Sequence, residues 1–279
     1  MTAAVLCAGR VYCDVILQGL PRFPTLGTEV FAEGLALRAG GGAAITAAHL
    51  AALGRDTHLA AILPAAPFGT PVRDQLTVAG VDLSRAPLAA PGTDPQITVA
   101  IPGQGDRAFV TRRPGAACPD LGPGQFSAFR HLHIGELTTL IEQPNLLPAA
   151  RSAGLTISLD CAWDDAITAD AAPLIAGVDI FFPNAAEYAA LHALGLPDPL
   201  APLTVVKRGP EGAQAITSEI TLSVPTTPTE VIDATGAGDA FNAGFLHAWL
   251  NGAALAECLT AGNSRGRHAV GITGGFALP

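Results

Sequence analysis

The alternation of short apolar segments with longer Ala- and Leu-rich segments restricts the fold of this chain more than any other feature. The apolar segments are continuously hydrophobic, which is typical of strands buried on both faces of a sheet. They cover residues 3–8, 57–62, 131–134, 155–159, 178–182 and 203–207. The segments of helical composition between them cover residues 43–53, 70–79, 184–194, 237–250 and 253–265. This order predicts an α/β fold with a doubly wound, mostly parallel sheet and helices on both faces.

Two segments interrupt the alternation, at about residues 16–38 and 96–115. In the second, residues 97–101 and 108–111 flank a Pro-Gly-Gln-Gly-Asp turn and predict a β-hairpin. Both segments return to the main sheet at glycines, as expected for a small β-strand lid hinged over an active site. We therefore predict one domain over residues 1–279 that carries this lid. Exposed lid strands favour a homodimer that forms through the lid.

Charge restricts the class of partner. The net charge is −9, and Lys207 is the only lysine among fifteen basic residues. A broad cationic surface for nucleic acid is therefore excluded, and a small-molecule ligand is expected. The single lysine also excludes a Walker-type phosphate loop, because Lys207 follows Val205 and Val206 and is not part of a Gly-Lys-Ser/Thr sequence.

The compartment is predicted from the amino terminus and the cysteines. No basic segment followed by a long apolar segment begins the chain, and no run approaches the ~18 apolar residues of a membrane span, so a cytoplasmic location without membrane contact is expected. The cysteines are scattered and include no Cys-x-x-Cys pair, which predicts buried reduced thiols. They are Cys7, Cys13, Cys118, Cys161 and Cys258.

A glycine-rich turn that runs into an amphipathic helix carries the strongest functional signal. Residues 233–245 read Asp-Ala-Thr-Gly-Ala-Gly-Asp-Ala-Phe-Asn-Ala-Gly-Phe. The N–H groups of Gly236, Ala237 and Gly238 can converge on one anion, and the positive end of the helix adds to this preference. A carboxylate at Asp239 repels phosphate unless it accepts the proton of an attacking alcohol, so Asp239 is a candidate general base. The alternative is a helix N-cap.

This turn resembles the carboxy-terminal signature of the ribokinase, or phosphofructokinase-B (PfkB), family of carbohydrate kinases, Asp-Thr-x-Gly-Ala-Gly-Asp-x-Phe. Ala234 is the one departure, and other family landmarks follow in order along the whole chain. The resemblance implies a ribokinase-like fold and transfer of the γ-phosphoryl group of ATP to a hydroxyl of a sugar or sugar-like molecule. It also implies Mg²⁺, K⁺ as in some members, and catalysis by Asp239 with the turn from Gly236 to Gly238.

The resemblance extends to the acceptor side. Gly-Arg-Val-Tyr-Cys-Asp, ending at Asp14, resembles the family's Gly-x-x-x-x-Asp, whose aspartate holds substrate hydroxyls; the alternative is a loop turn residue. Residues 40–54 resemble the amino-terminal signature, which implies that Gly41 and Gly42 let the substrate approach the backbone. Ile45 replaces the family asparagine that contacts a sugar hydroxyl. Either the acceptor is less polar at that point or another residue makes the contact.

A second departure concerns an arginine. The Asp-x-Asn-x-Arg pattern of some members corresponds to residues 160–164, which end in Asp164. The missing arginine disfavours a phosphorylated or carboxylated substrate. Arg112 and Arg113 of the lid can replace it, and Arg112 is the predicted substrate contact, with solvated surface arginines as the alternative.

On the nucleotide side, Asn184-Ala-Ala-Glu187 resembles the family's Asn-x-x-Glu, which organises Mg²⁺ and its waters. The alternative for this pair is a helix capping box. Residues 204–213 resemble the strand and Gly-x-x-Gly turn beside the nucleotide. The implied nucleotide contacts are Asn184, Lys207, Gly209, Gly212 and Asn263, with Glu187 bound to Mg²⁺ through water and Asp233 at a monovalent-cation site.

Rival interpretations are weaker. Dinucleotide-binding turns fail at the third glycine, and residues 262–266 match a hydrolase nucleophile elbow but follow a helical segment. His131, His133 and Glu136 can form a metal site, although packed strand histidines explain the pair more simply. The remaining alternative keeps the fold as a nucleotide- or metabolite-binding regulator with little kinase activity.

Overall fold

The computed structural model describes residues 4–102, 107–162 and 164–277. Residues 103–106 of the predicted hairpin turn lie outside the described residues. Within these ranges the strands are β1 (Val5–Ala8), β2 (Tyr12–Gln18), β3 (Gly34–Gly40), β4 (Thr57–Ala60), β5 (Asp82–Arg85), β6 (Ile97–Pro102), β7 (Arg107–Arg112), β8 (His131–Ile134), β9 (Thr156–Asp160), β10 (Ile180–Phe182), β11 (Leu203–Lys207), β12 (Ala213–Ile216) and β13 (Thr221–Val224). The helices are α1 (Gly42–Ala52), α2 (Gly69–Val78), α3 (Leu137–Glu142), α4 (Leu146–Ser152), α5 (Ala172–Ala176), α6 (Ala185–Ala193), α7 (Ala237–Trp249) and α8 (Leu255–Ala269).

In the described part of the chain, nine strands form the main sheet in the order β13-β12-β11-β10-β9-β8-β1-β4-β5. Neighbours from β11 through β5 run parallel, and β12 and β13 add antiparallel strands at one edge. The predicted mostly parallel sheet is confirmed, with all six predicted strands in it. The structure adds β5, β12 and β13, whose short or half-exposed segments lack the continuous hydrophobicity that marked the others.

Helices cover both faces of this sheet, as predicted. Side chains of β1 alternate between the two layers: Val5 and Cys7 join a core with α1, α2, α7 and α8. Leu6 and Ala8 join a second core with α3, α4, α5 and α6. All five predicted helices are present, and α8 extends to Ala269 beyond its predicted end. Burial of one strand on both faces is the reason that its sequence reads as continuously apolar.

A separate four-stranded sheet forms the lid, in the order β3-β2-β6-β7. Its two hairpin pairs are antiparallel, and β2 runs parallel to β6. The lid strands begin closer to the main sheet than the predicted bounds, since β2 starts at Tyr12 and β3 continues to Gly40. Asp14 therefore lies inside a strand, and the alternative of a loop turn residue is wrong.

The state of the cysteines is also confirmed: all five are free and buried. Burial raises the pKa of the Cys13 thiol to about 11 and that of Cys118 to about 12, so these thiols stay protonated at neutral pH. Among the helices of the described residues, none has the length and apolar character needed to cross a bilayer.

Candidate functional site

Several polar residues lie where the parallel strands of the main sheet end, and two of them, Asn184 and Lys207, are predicted site residues. Asp160 is the last residue of β9 and Lys207 is the last residue of β11. Asn184 follows β10 and begins α6. In open parallel sheets, ligands bind in the groove beyond the carboxyl ends of the strands. The predicted site therefore lies where this type of sheet has its binding groove.

The glycine-rich turn has the geometry of an anion site. Gly236 is the N-cap of α7 in the left-handed conformation, with φ of 72°. A Cβ at Gly236 would lie 2.8 Å from Cα of Gly275, so only glycine fits. Within the described residues, the N–H groups of Gly236 and Gly238 have no acceptor, whereas the Ala237 N–H donates to the Ala234 carbonyl at 3.2 Å. Two of the three predicted amides are thus unengaged at the positive end of a helix.

Asp239 lies beside this turn and is not an N-cap. It is the third residue of α7, whose N-cap position is occupied by Gly236. Its Oδ1 would lie 2.9 Å from a Cβ placed on Gly42, so the carboxylate faces the start of α1. Burial raises the pKa of the Asp239 carboxyl to about 7, and the charge of Asp160 adds to the rise while Lys207 opposes it. A carboxyl with this pKa can accept a proton near neutral pH.

A buried ion pair lies behind the turn, and the sequence interpretation did not identify it. Lys207 Nζ donates to Asp160 Oδ2 at 2.5 Å, and the two side chains are 12% and 7% exposed. Asn242 Nδ2, one turn into α7, donates to the same oxygen. Lys207 Nζ also lies 3.4 Å from the position of a Cβ on Gly238. Burial alone lowers the pKa of Lys207, but the charges of Asp160 and Glu187 raise it above its usual value, so the ammonium stays charged.

The acceptor-side residues lie next to Asp239. The Asp14 carboxylate contacts the space beside Cα of Gly40, where any Cβ would overlap it. Burial raises the pKa of Asp14 to about 7, with a further rise from Asp233. Gly41 has φ of 98°, and a Cβ there would overlap the Arg10 carbonyl. The predicted Asp14, Gly41 and Gly42 are therefore brought together at the junction of β3 and α1.

Ile45, the departure from the family asparagine, packs under the glycine-rich turn from Gly236 to Gly238, which we call the anion turn. It is 4% exposed. Its Cγ2 would lie 3.0 Å from a Cβ on Gly236, and its Cδ1 would lie 2.6 Å from one on Gly275. One helical turn later, His49 Nε2 bonds the Gly275 carbonyl at 2.9 Å. Ile45 thus supports the turn by packing.

The buried Arg10 guanidinium contacts two glutamates, Glu136 and the more exposed Glu142, in a cluster that sequence reasoning also missed. Arg10 is 1% exposed, and its guanidinium donates to both carboxylate oxygens of Glu142 at 2.8 and 2.7 Å. Its Nε lies 3.8 Å from Glu136 Oε1. Glu136 follows Gly135, whose carbonyl would lie 2.5 Å from a Cβ on Gly42. The position of Glu136, two residues after a predicted strand, was the one signal that could have placed it at this edge.

Glu136 does not form a metal site with the two strand histidines. His131 bonds Thr156 and Ser158, and His133 bonds the same Ser158 hydroxyl, each at 2.8 Å. Burial lowers the pKa of both histidines to about 3, so both are neutral. The prediction of packed strand histidines is confirmed. The nucleophile-elbow sequence lies inside α8, which confirms that it is a chance match.

The lid arginines are paired with carboxylates. Arg112 bonds Asp94 at 2.5 Å, and both side chains are exposed. Arg112 pairs with Ile97, which pairs with Cys13, and it therefore shares the lid face opposite to that of Asp14. The structure does not bring Arg112 into the predicted substrate site. Arg113 bonds Asp164, the residue at the family's arginine position, at 2.7 Å.

On the nucleotide side, Asn184 and Glu187 form the capping box that was the alternative interpretation. Asn184 Oδ1 accepts from Glu187 N at 2.9 Å, and Glu187 Oε2 accepts from Asn184 N at 2.6 Å. No cluster of three or more His, Cys, Asp or Glu within the described ranges is arranged to hold a metal ion directly. The Glu187 carboxylate and the Asn184 amide oxygen are hard oxygen groups of the kind that suits Mg²⁺, which keeps most of its waters.

The remaining predicted residues line the ends of β11, β13 and α7. Gly209 and Gly212 have φ of 54° and 95° around a tight turn. Asn263 Nδ2 donates to the Val224 carbonyl at 3.0 Å and so ties α8 to β13. Asp233 accepts from the N–H groups of Thr235 and Gly274, each at 2.8 Å. Asp233 thereby fixes the anion turn against the loop that contains Gly274.

A doubly wound sheet with a β lid, a glycine-rich turn with unengaged N–H groups at a helix start and a carboxylate beside it are typical of α/β enzymes that transfer phosphoryl groups. The profile of the pfkB family of carbohydrate kinases matches residues 7–275. The chain belongs to this family and is a carbohydrate kinase, a phosphotransferase with an alcohol group as acceptor.

Relatives with assigned activities support this class. The chain is 28% identical over 283 residues to an ATP-dependent ribose-1-phosphate kinase of Halopiger xanaduensis, covering 99% of this chain and 94% of the relative. It is 28% identical over 269 residues to a fructokinase of Rhizobium leguminosarum bv. trifolii, covering 87% and 78%.

Solved structures share the fold. The nucleoside kinase of Methanocaldococcus jannaschii superposes with a TM-score of 0.82 at 20% identity, covering 100% of this chain and 94% of that chain. The Arabidopsis thaliana ribokinase complexed with ribose and ATP gives 0.80 at 21% identity, covering 98% and 94%. A ribokinase-fold chain of E. coli in complex with ATP and Mg²⁺ gives 0.80 at 20% identity, covering 99% and 94%.

Proposed function

We propose that this chain is an ATP-dependent kinase that transfers the γ-phosphoryl group to a hydroxyl of a sugar or sugar-like molecule, with Asp239 as catalytic base. The observation that carries the proposal is the contact of Asp239 with Gly42, which joins the anion turn to the acceptor side. A residue that only capped a helix would not need this position. The names of the ribose-1-phosphate kinase and fructokinase relatives support a sugar acceptor.

In the proposed reaction, the acceptor hydroxyl gives its proton to the Asp239 carboxylate. The acceptor oxygen then bonds to the γ-phosphorus, the bond to the bridging β-phosphate oxygen breaks, and ADP leaves with that electron pair. The unengaged N–H groups of Gly236 and Gly238 donate to the charge that develops on the transferring group. Asp14 accepts from acceptor hydroxyls, and Lys207 supplies a fixed positive charge behind the turn.

We propose that Mg²⁺ is held through its waters by Glu187 with Asn184 nearby, and that it neutralises phosphate charge. Asp233, together with the backbone of residues 269–274, is the proposed site for a monovalent cation such as K⁺.

We also propose a homodimer through the lid, because Leu35 and Val110 of the lid strands are 59% and 63% exposed.

The test is an ADP-release assay of the purified protein against a panel of sugars, sugar phosphates and nucleosides, with and without K⁺. Asp239→Asn is expected to lower kcat by at least ~100-fold while the affinity for ATP stays unchanged, because only the base is lost. Asp74→Asn, an exposed carboxylate on α2, is the matched control. Near-normal turnover in Asp239→Asn would reject the base assignment. ATP binding without turnover on any acceptor would favour the regulator.

A further inference from the structure

Arg38 lies in β3 of the lid, beside the predicted hydroxyl contact Asp14. It pairs directly with Asp14 across β2 and β3, and Asp14 pairs with Thr98 of β6. Residues directly opposite in a sheet share one face, so Arg38 lies on the face that carries Asp14. Arg38 is thus a cation one strand away from the predicted hydroxyl contact.

The guanidinium of Arg38 is not neutralised. Among the described residues, no carboxylate lies within ion-pair distance of it, although Asp14 is its cross-strand neighbour. Within the part of the chain that the structure describes, its one hydrogen bond runs from an Nη1 donor to the adjacent Leu37 carbonyl at 3.2 Å. An arginine carries five N–H donors, so most of those in Arg38 are unused. Arg112 and Arg113, in contrast, each bind a carboxylate.

The stem of the Arg38 side chain lies close to Gly274. Cγ, Cδ and Nε of Arg38 would lie 3.4, 3.5 and 3.7 Å from a Cβ on Gly274, so the stem runs over this glycine. The next residue, Gly275, lies against Gly236 of the anion turn. Asp233, the nearest acidic residue along this loop, already accepts from two backbone N–H groups. The stem of Arg38 therefore lies against the loop that packs on the glycine-rich turn.

The order of groups along β3 and α1 fits an acceptor with two polar ends. Asp239 touches the space beside Gly42, and Asp14 touches the space beside Gly40. Arg38 lies two residues further along an extended strand, which places its Cα a further ~7 Å from Asp239. A sugar with its reacting hydroxyl at Asp239 and its other hydroxyls at Asp14 would direct its far end toward Arg38.

We propose that Arg38 binds a phosphate group at the far end of the acceptor, so that the preferred substrate is a phosphorylated sugar and the product is a sugar bisphosphate. An arginine fork matches phosphate geometry, and charge-assisted hydrogen bonds are the strong ones. Arg38 then supplies the positive charge that is absent from position 164, where some family members have an arginine and this chain has Asp164. The inference rests on the proposed kinase function and adds to it the class of substrate.

The test compares each sugar phosphate with its unphosphorylated sugar in the full-length protein: ribose 1-phosphate with ribose, and fructose 6-phosphate with fructose. The wild type is expected to have at least ~10-fold higher kcat/KM for one phosphorylated member. Arg38→Gln is expected to raise KM for that member about 10- to 100-fold, leaving kcat/KM for the neutral sugar and KM for ATP within about threefold. Arg38→Lys should restore part of the loss. Arg22→Gln is the control: Arg22 is an exposed lid arginine that bonds Thr28 and the Phe23 carbonyl, and its replacement should change nothing.

A binding measurement separates this inference from the kinase assignment. Calorimetric titration of Asp239→Asn with ribose 1-phosphate and fructose 6-phosphate requires no turnover, and adding Arg38→Gln should weaken binding of one of them about 10- to 100-fold. Equal loss on neutral and phosphorylated sugars, a raised KM for ATP, or unchanged binding in the double variant would overturn the role of Arg38. If the wild type turns over no acceptor, the kinase proposal fails, and the titration still decides whether Arg38 binds phosphate.

Discussion

Replacing Gly42 with alanine should displace the proposed base, Asp239, although the change adds only one methyl group. It begins α1, and alanine there adds one methyl group without any strain in φ, since Gly42 lies outside the left-handed region. The added carbon would lie 2.9 Å from Asp239 Oδ1 and 2.5 Å from the Gly135 carbonyl oxygen. The backbone oxygen cannot rotate away, so the start of α1 or the end of β8 must shift.

The expected loss of kcat follows from the displacement that the added methyl group requires. A contact of 2.5 Å must open to the ordinary contact range, which requires a displacement of about half an ångström or more at the edge that carries Asp239. A misplacement of about 1 Å costs on the order of 100-fold in rate, so Gly42→Ala should lower kcat about 10- to 100-fold. The overpacking should cost about 1–3 kcal/mol of stability, which leaves the variant folded at room temperature.

The assay is steady-state ADP release with the best acceptor, together with thermal unfolding to confirm the fold. Gly40→Ala is the informative companion, because its methyl would meet the end of the Asp14 side chain instead. It should raise KM for the acceptor with a smaller change in kcat. Gly122→Ala, where no atom lies within 4 Å of the added carbon, is the control and should behave as wild type. A folded Gly42→Ala enzyme with kcat within about twofold of wild type would refute the placement of the base.

Three further predictions follow from the charges and surfaces described above. Because the pKa of Asp239 is raised to about 7 and the base acts only when ionised, kcat should fall about tenfold per pH unit below 7, and a flat profile from pH 5 to 8 would contradict this. Lys207→Met leaves Asp160 buried without its cation, so the free energy of unfolding in urea should drop by about 3–5 kcal/mol. In that variant the acid limb of the kcat profile should also move to higher pH, because Lys207 lowers the pKa of Asp239. Unchanged stability and an unchanged pH profile would count against the ion pair. Sedimentation should show a dimer that Leu35→Glu converts to monomers, and a monomeric wild type would reject the lid interface.

The parts of the site that could be predicted from sequence are those whose residues are neighbours in the chain. The turn from Gly236 to Gly238, the helix start and Asp239 form one continuous segment, so the anion site and the base could be placed side by side. The alternating apolar segments likewise identified the parallel strands, because each is buried on both faces. Local pattern was sufficient in both cases.

The parts that could not be predicted join distant residues. Asp160 meets Lys207 across 47 positions and Asn242 across 82. A single sequence contains no information on which polar residues of different strands meet at the sheet edge. Arg38 was not identified for a related reason: its cross-strand pairing with Asp14 depends on the register of β2 and β3, which the sequence did not specify.

The buried guanidinium of Arg10 determines which part of the lid can move. It donates to Gln96 at 3.0 Å, where the chain enters β6, and to the carbonyls of Pro114 and Gly115 at 3.1 and 2.9 Å, where the chain leaves β7. Arg10 itself precedes β2, so three of the chain crossings between the two sheets are fastened to one side chain. A rigid-body rotation of the whole lid would break all of these hydrogen bonds. Lid closure is therefore expected to come from bending of the lid strands beyond Arg10 and its partners.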